Sequence, residues 1–186
     1  HNISKILSTI ISRAVLVKFS SLKPEELEIY FDKYYNDKGN KSVYSRIANG
    51  SVSEMIKNIE DENSLAFRNS VIDNAIDLFL TPANTSINGL YPLCIKNKEK
   101  RKDIIEYLSL FVFDCAFYKS GVVKEIVNAD KLEEIKKICR ELTVKEIQNI
   151  ETILITLNKK ISENEKTLAS FILSFLSFSS KDIINL

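Results

Sequence analysis

The sequence predicts an all-α protein, a small unit of three short helices followed by a larger helical bundle of about five helices. Three observations predict it. The 186 residues include only four glycines and three prolines, so few positions force a break in a helix. Apolar residues recur at three- and four-residue intervals along most of the chain. Ser/Thr-x-x-Glu capping signals stand before helical runs at Ser51, Thr143 and Ser162.

Ala14 to Phe19, rich in β-branched and apolar residues, reads as a short strand. Lys23-Pro24-Glu25-Glu26 opens a helix, with proline in the first turn and acids facing the positive helix end. Leu27, Phe31 and Tyr34 then share its inner face. A polar turn over 36–41 leads to a short helix over 42–48, which ends near Gly50. Ser51 and Glu54 begin a third helix through Met55, Ile56 and Ile59. Three small helices hold little core, so this unit needs a neighbour.

Glu60 to Ser64 is polar and reads as a linker. Beyond it, Val71, Ile72, Ala75, Ile76 and Phe79 carry helical spacing through Leu80. Thr81 to Asn97 holds two prolines and Gly89 and reads as a loop. The helix over 98–119 is apolar almost all round from Ile104 to Phe117, so it belongs at the centre of the bundle, and Gly121 stops it. A helix over 130–139 turns Leu132, Ile135 and Ile138 inward. The capping signals at Thr143 and Ser162 begin the two arms of a terminal helical hairpin, one through Ile147, Ile150, Leu154, Leu157 and Ile161, the other through Leu168 to Leu176.

Composition excludes several functions. Apolar residues at 45% and charged residues at 27% belong to a globular chain. With 26 basic and 25 acidic side chains, no strong field draws it to nucleic acid or anionic lipid. Apolar stretches such as Leu108 to Phe113 are too short to span a bilayer, and no secretory leader opens the sequence; a cytoplasmic location and no membrane partner are expected. Cys94, Cys115 and Cys139 lie more than 20 residues apart and the one histidine is His1, so reduced thiols are expected, with no metal site and no cofactor. A chain that lacks an initiator Met and starts mid-pattern is expected to continue a longer protein.

Four patterns, in order, resemble bacterial DNA polymerase III clamp-loader subunits. Ile6 to Ala14 looks like the family stretch that ends in Ser-Arg-Cys, here Ser12-Arg13-Ala14, and Phe19 to Leu27 looks like the junction of an AAA+ ATPase core with its lid. Ile47-Ala48-Asn49-Gly50-Ser51 resembles the start of the third lid helix. Phe113-Asp114 through Lys119-Ser120-Gly121, with Asn128 and Asp130, resembles the central collar helix and its following turn; Asn164 and Leu168 to Leu176 resemble the last collar helix. The resemblance implies that residues 1–18 are the tail of the AAA+ nucleotide domain, 19–61 its three-helix lid, and 62–186 the collar through which subunits form a ring. It implies partners among the gamma/tau and delta subunits, and sliding clamp and primed DNA reached only through the complex.

Ser8 and Ala14 replace the family's proline and cysteine, and Phe113 replaces an arginine common before Asp114. Ser53 stands where ATP-hydrolysing members carry an arginine, and a serine cannot offer a guanidinium fork to a phosphate. The resemblance is therefore to the non-hydrolysing delta-prime type, with a gamma/tau-type fragment or a generic helical interaction module as alternatives. No catalytic site in cis is expected. Arg13, with Ser12, is the candidate arginine finger supplied in trans to a neighbour's ATP site; without the resemblance it reads as a surface arginine. Lys96, Lys98, Lys100, Arg101 and Lys102 form the densest basic run, but Glu99 and Asp103 interrupt it and it reads as a solvated helix start. Asp114 reads as a hydrogen-bonded structural acid, and Tyr34, Tyr35, Tyr107 and Tyr118 as core or interface aromatics.

Overall fold

The computed structural model describes residues 20–35, 39–61, 63–80 and 89–160, together with residues 9, 13–15 and 17. The fold is all-α, and among the described residues there is no strand. Helix α1 (Pro24–Tyr34) opens as expected: proline occupies the first turn, and the Lys23 backbone N–H donates to the Glu26 carboxylate at 2.8 Å. Helix α2 (Lys41–Ile47) and helix α3 (Val52–Glu60) follow, the latter capped by Ser51, whose Oγ accepts the Glu54 N–H at 3.3 Å. Leu27, Phe31, Ala48, Met55 and Ile59 form their common core. Tyr34, placed on the inner face by the sequence, is 56% exposed. The inward row continues from Leu27 and Phe31 by fours to Tyr35, whose ring lies 6.1 Å from that of Phe31.

The strand expected from Ala14 to Phe19 is not formed at its described positions, where Ala14, Val15 and Val17 have irregular, exposed backbone. β-branched side chains favour extended backbone, but a strand also needs a hydrogen-bonded neighbour, and no ladder partner exists among the described residues.

Helix α4 (Ser64–Leu80) begins after a short turn, with Ser64 N–H donating to Asp61 O at 2.9 Å. Helix α5 (Leu90–Lys96) lies inside the segment read as a loop. Pro92 did not prevent it, because proline in the first turn removes an N–H that has no intrahelical partner. A 3-10 turn (Lys98–Lys100) leads into helix α6 (Arg101–Lys119), which packs against α4, helix α7 (Leu132–Glu141) and helix α8 (Val144–Lys160). The capping box at the start of α8 is complete: Thr143 N–H reaches the Glu146 carboxylate at 2.8 Å, and Glu146 N–H reaches Thr143 Oγ1 at 3.3 Å. Val71, Ile72, Phe111, Ile135, Ile138, Ile147, Ile150 and Leu154 belong to a second buried cluster that shares no member with the first. Helix α6 is central, yet Phe113 and Phe117 are more than a third exposed, so its cover is incomplete among the described residues. Ile161 and the second arm of the terminal hairpin lie outside the described residues.

Two glycines are needed for different reasons. Gly121, at φ +77°, ends α6: its N–H bonds Tyr118 O at 3.1 Å and the Val122 N–H bonds Phe117 O at 2.9 Å, the paired Schellman pattern. A Cβ there meets nothing within 4 Å, so Gly121→Ala costs only the left-handed strain, about 1–2 kcal/mol. Gly50 combines φ +79° with close approach, since a Cβ would lie 2.5 Å from Ser21 Cβ and 2.8 Å from Leu22 O. Gly50→Ala adds overpacking to strain and is expected to cost about 3 kcal/mol. Urea denaturation of the two variants checks the order, and equal losses would contradict it.

Candidate functional site

Arg68 stands three and four positions before Val71 and Ile72 on the inward face of α4, so the helix itself carries its guanidinium into the bundle. It is 1% exposed. Both terminal nitrogens donate to Asp130, each at 2.7 Å; one also reaches Asn69 Oδ1 at 2.8 Å and the other Asn128 Oδ1. The planar fork matches the carboxylate in a way a lysine cannot.

Asn128 links this pair to a second acid. Asp114, on α6 and fully buried, accepts the Val127 N–H at 2.7 Å, the Asn128 N–H at 2.8 Å and the Asn128 side-chain amide at 2.6 Å. Burial pushes the Asp114 carboxyl above its usual range, against the pull of these three bonds and of the Arg68 charge. Burial acts the same way on Asp130, but the Arg68 hydrogen bond and positive charge outweigh it and hold that carboxyl below its usual range. Two of these bonds, from the Val127 and Asn128 N–H groups, tie backbone between two 3-10 turns to α6, and the side chains of Asn128 and Asp130 tie the same segment to α4. The two 3-10 turns between α6 and α7 leave the Val127 and Asn128 N–H groups without a backbone acceptor, and Asp114 supplies it, while Arg68 holds the side chains of Asn128 and Asp130.

The same segment meets the N-terminal unit. Arg46 of α2 donates from Nη1 to Ile126 O at 2.7 Å and to Lys124 O at 3.3 Å. On the other side of the joint, Ser64 Oγ donates to Asn58 Oδ1 at 2.9 Å, and Lys100 lies 3.8 Å from Asp61 and 4.9 Å from the centre of the Phe67 ring. These groups orient and fasten backbone. Asp114 and Asp130 are both committed to donors, as structural acids are.

The residues singled out in the sequence fare differently. Arg13 lies in an exposed turn, apart from the buried network, and Ser12 lies outside the described residues. Ser53 is exposed on α3. The basic run does not act as one patch: Lys100 is engaged with Asp61 and Phe67, and Arg101 Nε donates to Cys94 O at 3.1 Å. Cys94, Cys115 and Cys139 are free and buried. Tyr107 and Tyr118 pack half-buried against the large core. Arg68 and Arg46 were missed. The available signal for Arg68 was its register, a charge in phase with Val71, Ile72 and Ala75 on an otherwise apolar face. Arg46 carried no such signal, because its acceptors are backbone carbonyls.

The model of one protein family, described as the C-terminal part of the DNA polymerase III delta subunit, matches residues 62–173. The match contains Arg68, Asp114, Asn128 and Asp130, the residues that fasten the turn after the central helix. No curated protein matches the sequence significantly. Among the described residues no helix is long and apolar enough to cross a membrane. With more than half of its 186 residues matched, the chain belongs to this family, that of the C-terminal part of the DNA polymerase III delta subunit, which marks it as a clamp-loader-type subunit.

Proposed function

We propose that the chain is the delta-prime-type member of the clamp loader, a non-hydrolysing piece of the ring that opens the sliding clamp and places it on primed DNA. The observation that carries this reading is the family match over 62–173 preceded by Ser53, where a phosphate-binding arginine belongs in hydrolysing subunits. Residues 19–61 serve as the lid of an AAA+ module and 62–186 as the collar, in keeping with the two separate buried clusters. Residues 1–18 are the end of the nucleotide domain. The collar joins the gamma/tau and delta subunits, and the clamp and DNA are met through the complex at the cytoplasmic replisome. Arg13, exposed and within the Ser-Arg pair, acts as an arginine finger on the neighbour's ATP; Ser12 helps present it.

The test is DNA-stimulated ATP hydrolysis by the reconstituted loader carrying Arg13→Ala in the full-length protein. GTPase arginine fingers contribute about 10³–10⁵ in rate. The loss here is smaller in total turnover, because other ATP sites keep their own arginines, and it concentrates at the adjoining site when partners are made nucleotide-dead. Arg13→Lys rescues poorly, since an ammonium lacks the fork. Assembly is unchanged in both variants. The family's description favours a second reading, a delta-type subunit; wild-type turnover at the adjoining site in the Arg13→Ala loader ends the finger role and returns Arg13 to an ordinary surface arginine.

A further inference from the structure

The two buried clusters share no residue, and two clefts of about 430 and 460 Å³ open between the units that hold them. Asn49 and Leu110 line both clefts, so the openings meet there. Polar contacts between α1–α3 and the bundle stand at both edges of the joint. At one edge the chain itself crosses, supported by the Ser64–Asn58 and Lys100–Asp61 contacts. At the other edge stands Arg46, bound to two carbonyls of the segment between α6 and α7.

We infer that Arg46 is a latch and that the segment around Ile126 is its strike plate, seated by Asp114, so that the collar's buried acid sets the angle of the N-terminal unit. The relay is continuous. Arg46 holds the Ile126 carbonyl, the next peptide N–H is Val127's and is held by Asp114, and Asn128 is held by both Asp114 and Arg68. Because carbonyl and N–H belong to one rigid peptide plane, displacing Val127 from Asp114 moves the acceptor that Arg46 needs. A latch of this kind has two discrete states, engaged and open, as a hinged pair of bodies requires.

The experiment is a spin-label distance measurement in the full chain, with labels on Ile29→Cys in α1 and Lys145→Cys in α8, both exposed positions. Cys94, Cys115 and Cys139 are at most 3% exposed and stay unlabelled in the folded protein. With Arg46 present, a single narrow distance distribution is expected. Arg46→Ala should at least double its width. Arg46→Lys should give an intermediate width, because both bonds leave the one nitrogen Nη1 and an ammonium on a differently shaped stem can replace them only in part. Asp114→Asn, which alters no residue of α1–α3, should broaden it as Arg46→Ala does. Should Asp114→Asn fail to fold, Val127→Pro removes one N–H of the relay; Ile126 is already extended (φ −62°, ψ 121°), as a residue before proline must be. Protected amides at Ile135 and Ile147 report that the bundle is intact in each variant. An unchanged width in Arg46→Ala overturns the latch. Broadening in Arg46→Ala without broadening in the relay variants overturns the role of the plate.

Discussion

Arg68→Met lowers the unfolding free energy by about 3–5 kcal/mol, the range for removing one partner of a buried charge network. A small domain is stable by only about 5–15 kcal/mol, so one side chain decides a large share of it. Methionine fits the apolar face of α4, and the loss is therefore electrostatic. Asn128 loses its donor, and Asp114 loses the nearby positive charge that favours its ionised form. Asp130, with 31% of its side chain exposed, recovers some hydration, which keeps the effect within that range. Arg68→Lys retains charge without the fork and should recover less than half of the loss. Urea denaturation with unchanged slope is the measurement; a loss below about 1 kcal/mol would show the network to be incidental.

Asp114→Ala is expected to be of similar size, and its cause is different. No buried charge is orphaned; instead two backbone N–H groups and one amide lose their acceptor, each at about 1–3 kcal/mol if left dry. Water entering the vacated space offsets part of this, leaving about 3–5 kcal/mol. Hydrogen exchange at Val127 and Asn128 should accelerate together, ahead of the α7 amides. Their unchanged protection would contradict the assignment of Asp114 as the anchor of this turn.

The two acids also leave opposite marks on stability against pH. Asp130 has a lowered native carboxyl, so its contribution is present above the unfolded value of about 3.9 and is lost as pH falls through the native value. Asp114 has a raised native carboxyl, so the folded state binds its proton more tightly and stability declines as pH rises between the unfolded and native values. In Arg68→Met the Asp130 component disappears, and the acid limb of the stability curve should become shallower.

Helices and most of the inner faces were legible because periodicity and capping are local. Leu27, Phe31, Met55, Ile135, Ile147 and Leu154 are buried where their spacing put them, and the Thr143–Glu146 box formed as written. Errors arose where a local signal met a non-local requirement. The residues 14–19 have strand-like side chains without a described partner strand, and Pro92 reads as a breaker until its place in a first turn is known. The site was half legible. Asp114, Asn128 and Asp130 were carried by the resemblance and Asp114 by its apolar surroundings, but neither names Arg68. Its partners Asn128 and Asp130 lie 60 and 62 residues away, and an isolated arginine normally reads as surface.

The separateness of the two buried clusters has a kinetic meaning. Five buried apolar residues hold α1–α3, while the bundle core is several times larger and closes around a central helix. Such a molecule has at least two cooperative units with different opening energies. The smaller one can fluctuate open and re-form while the larger stays native. This gradient places the compliance of the molecule in α1–α3. Strain applied to the chain is then absorbed first in the three-helix module, before it spreads through the larger bundle.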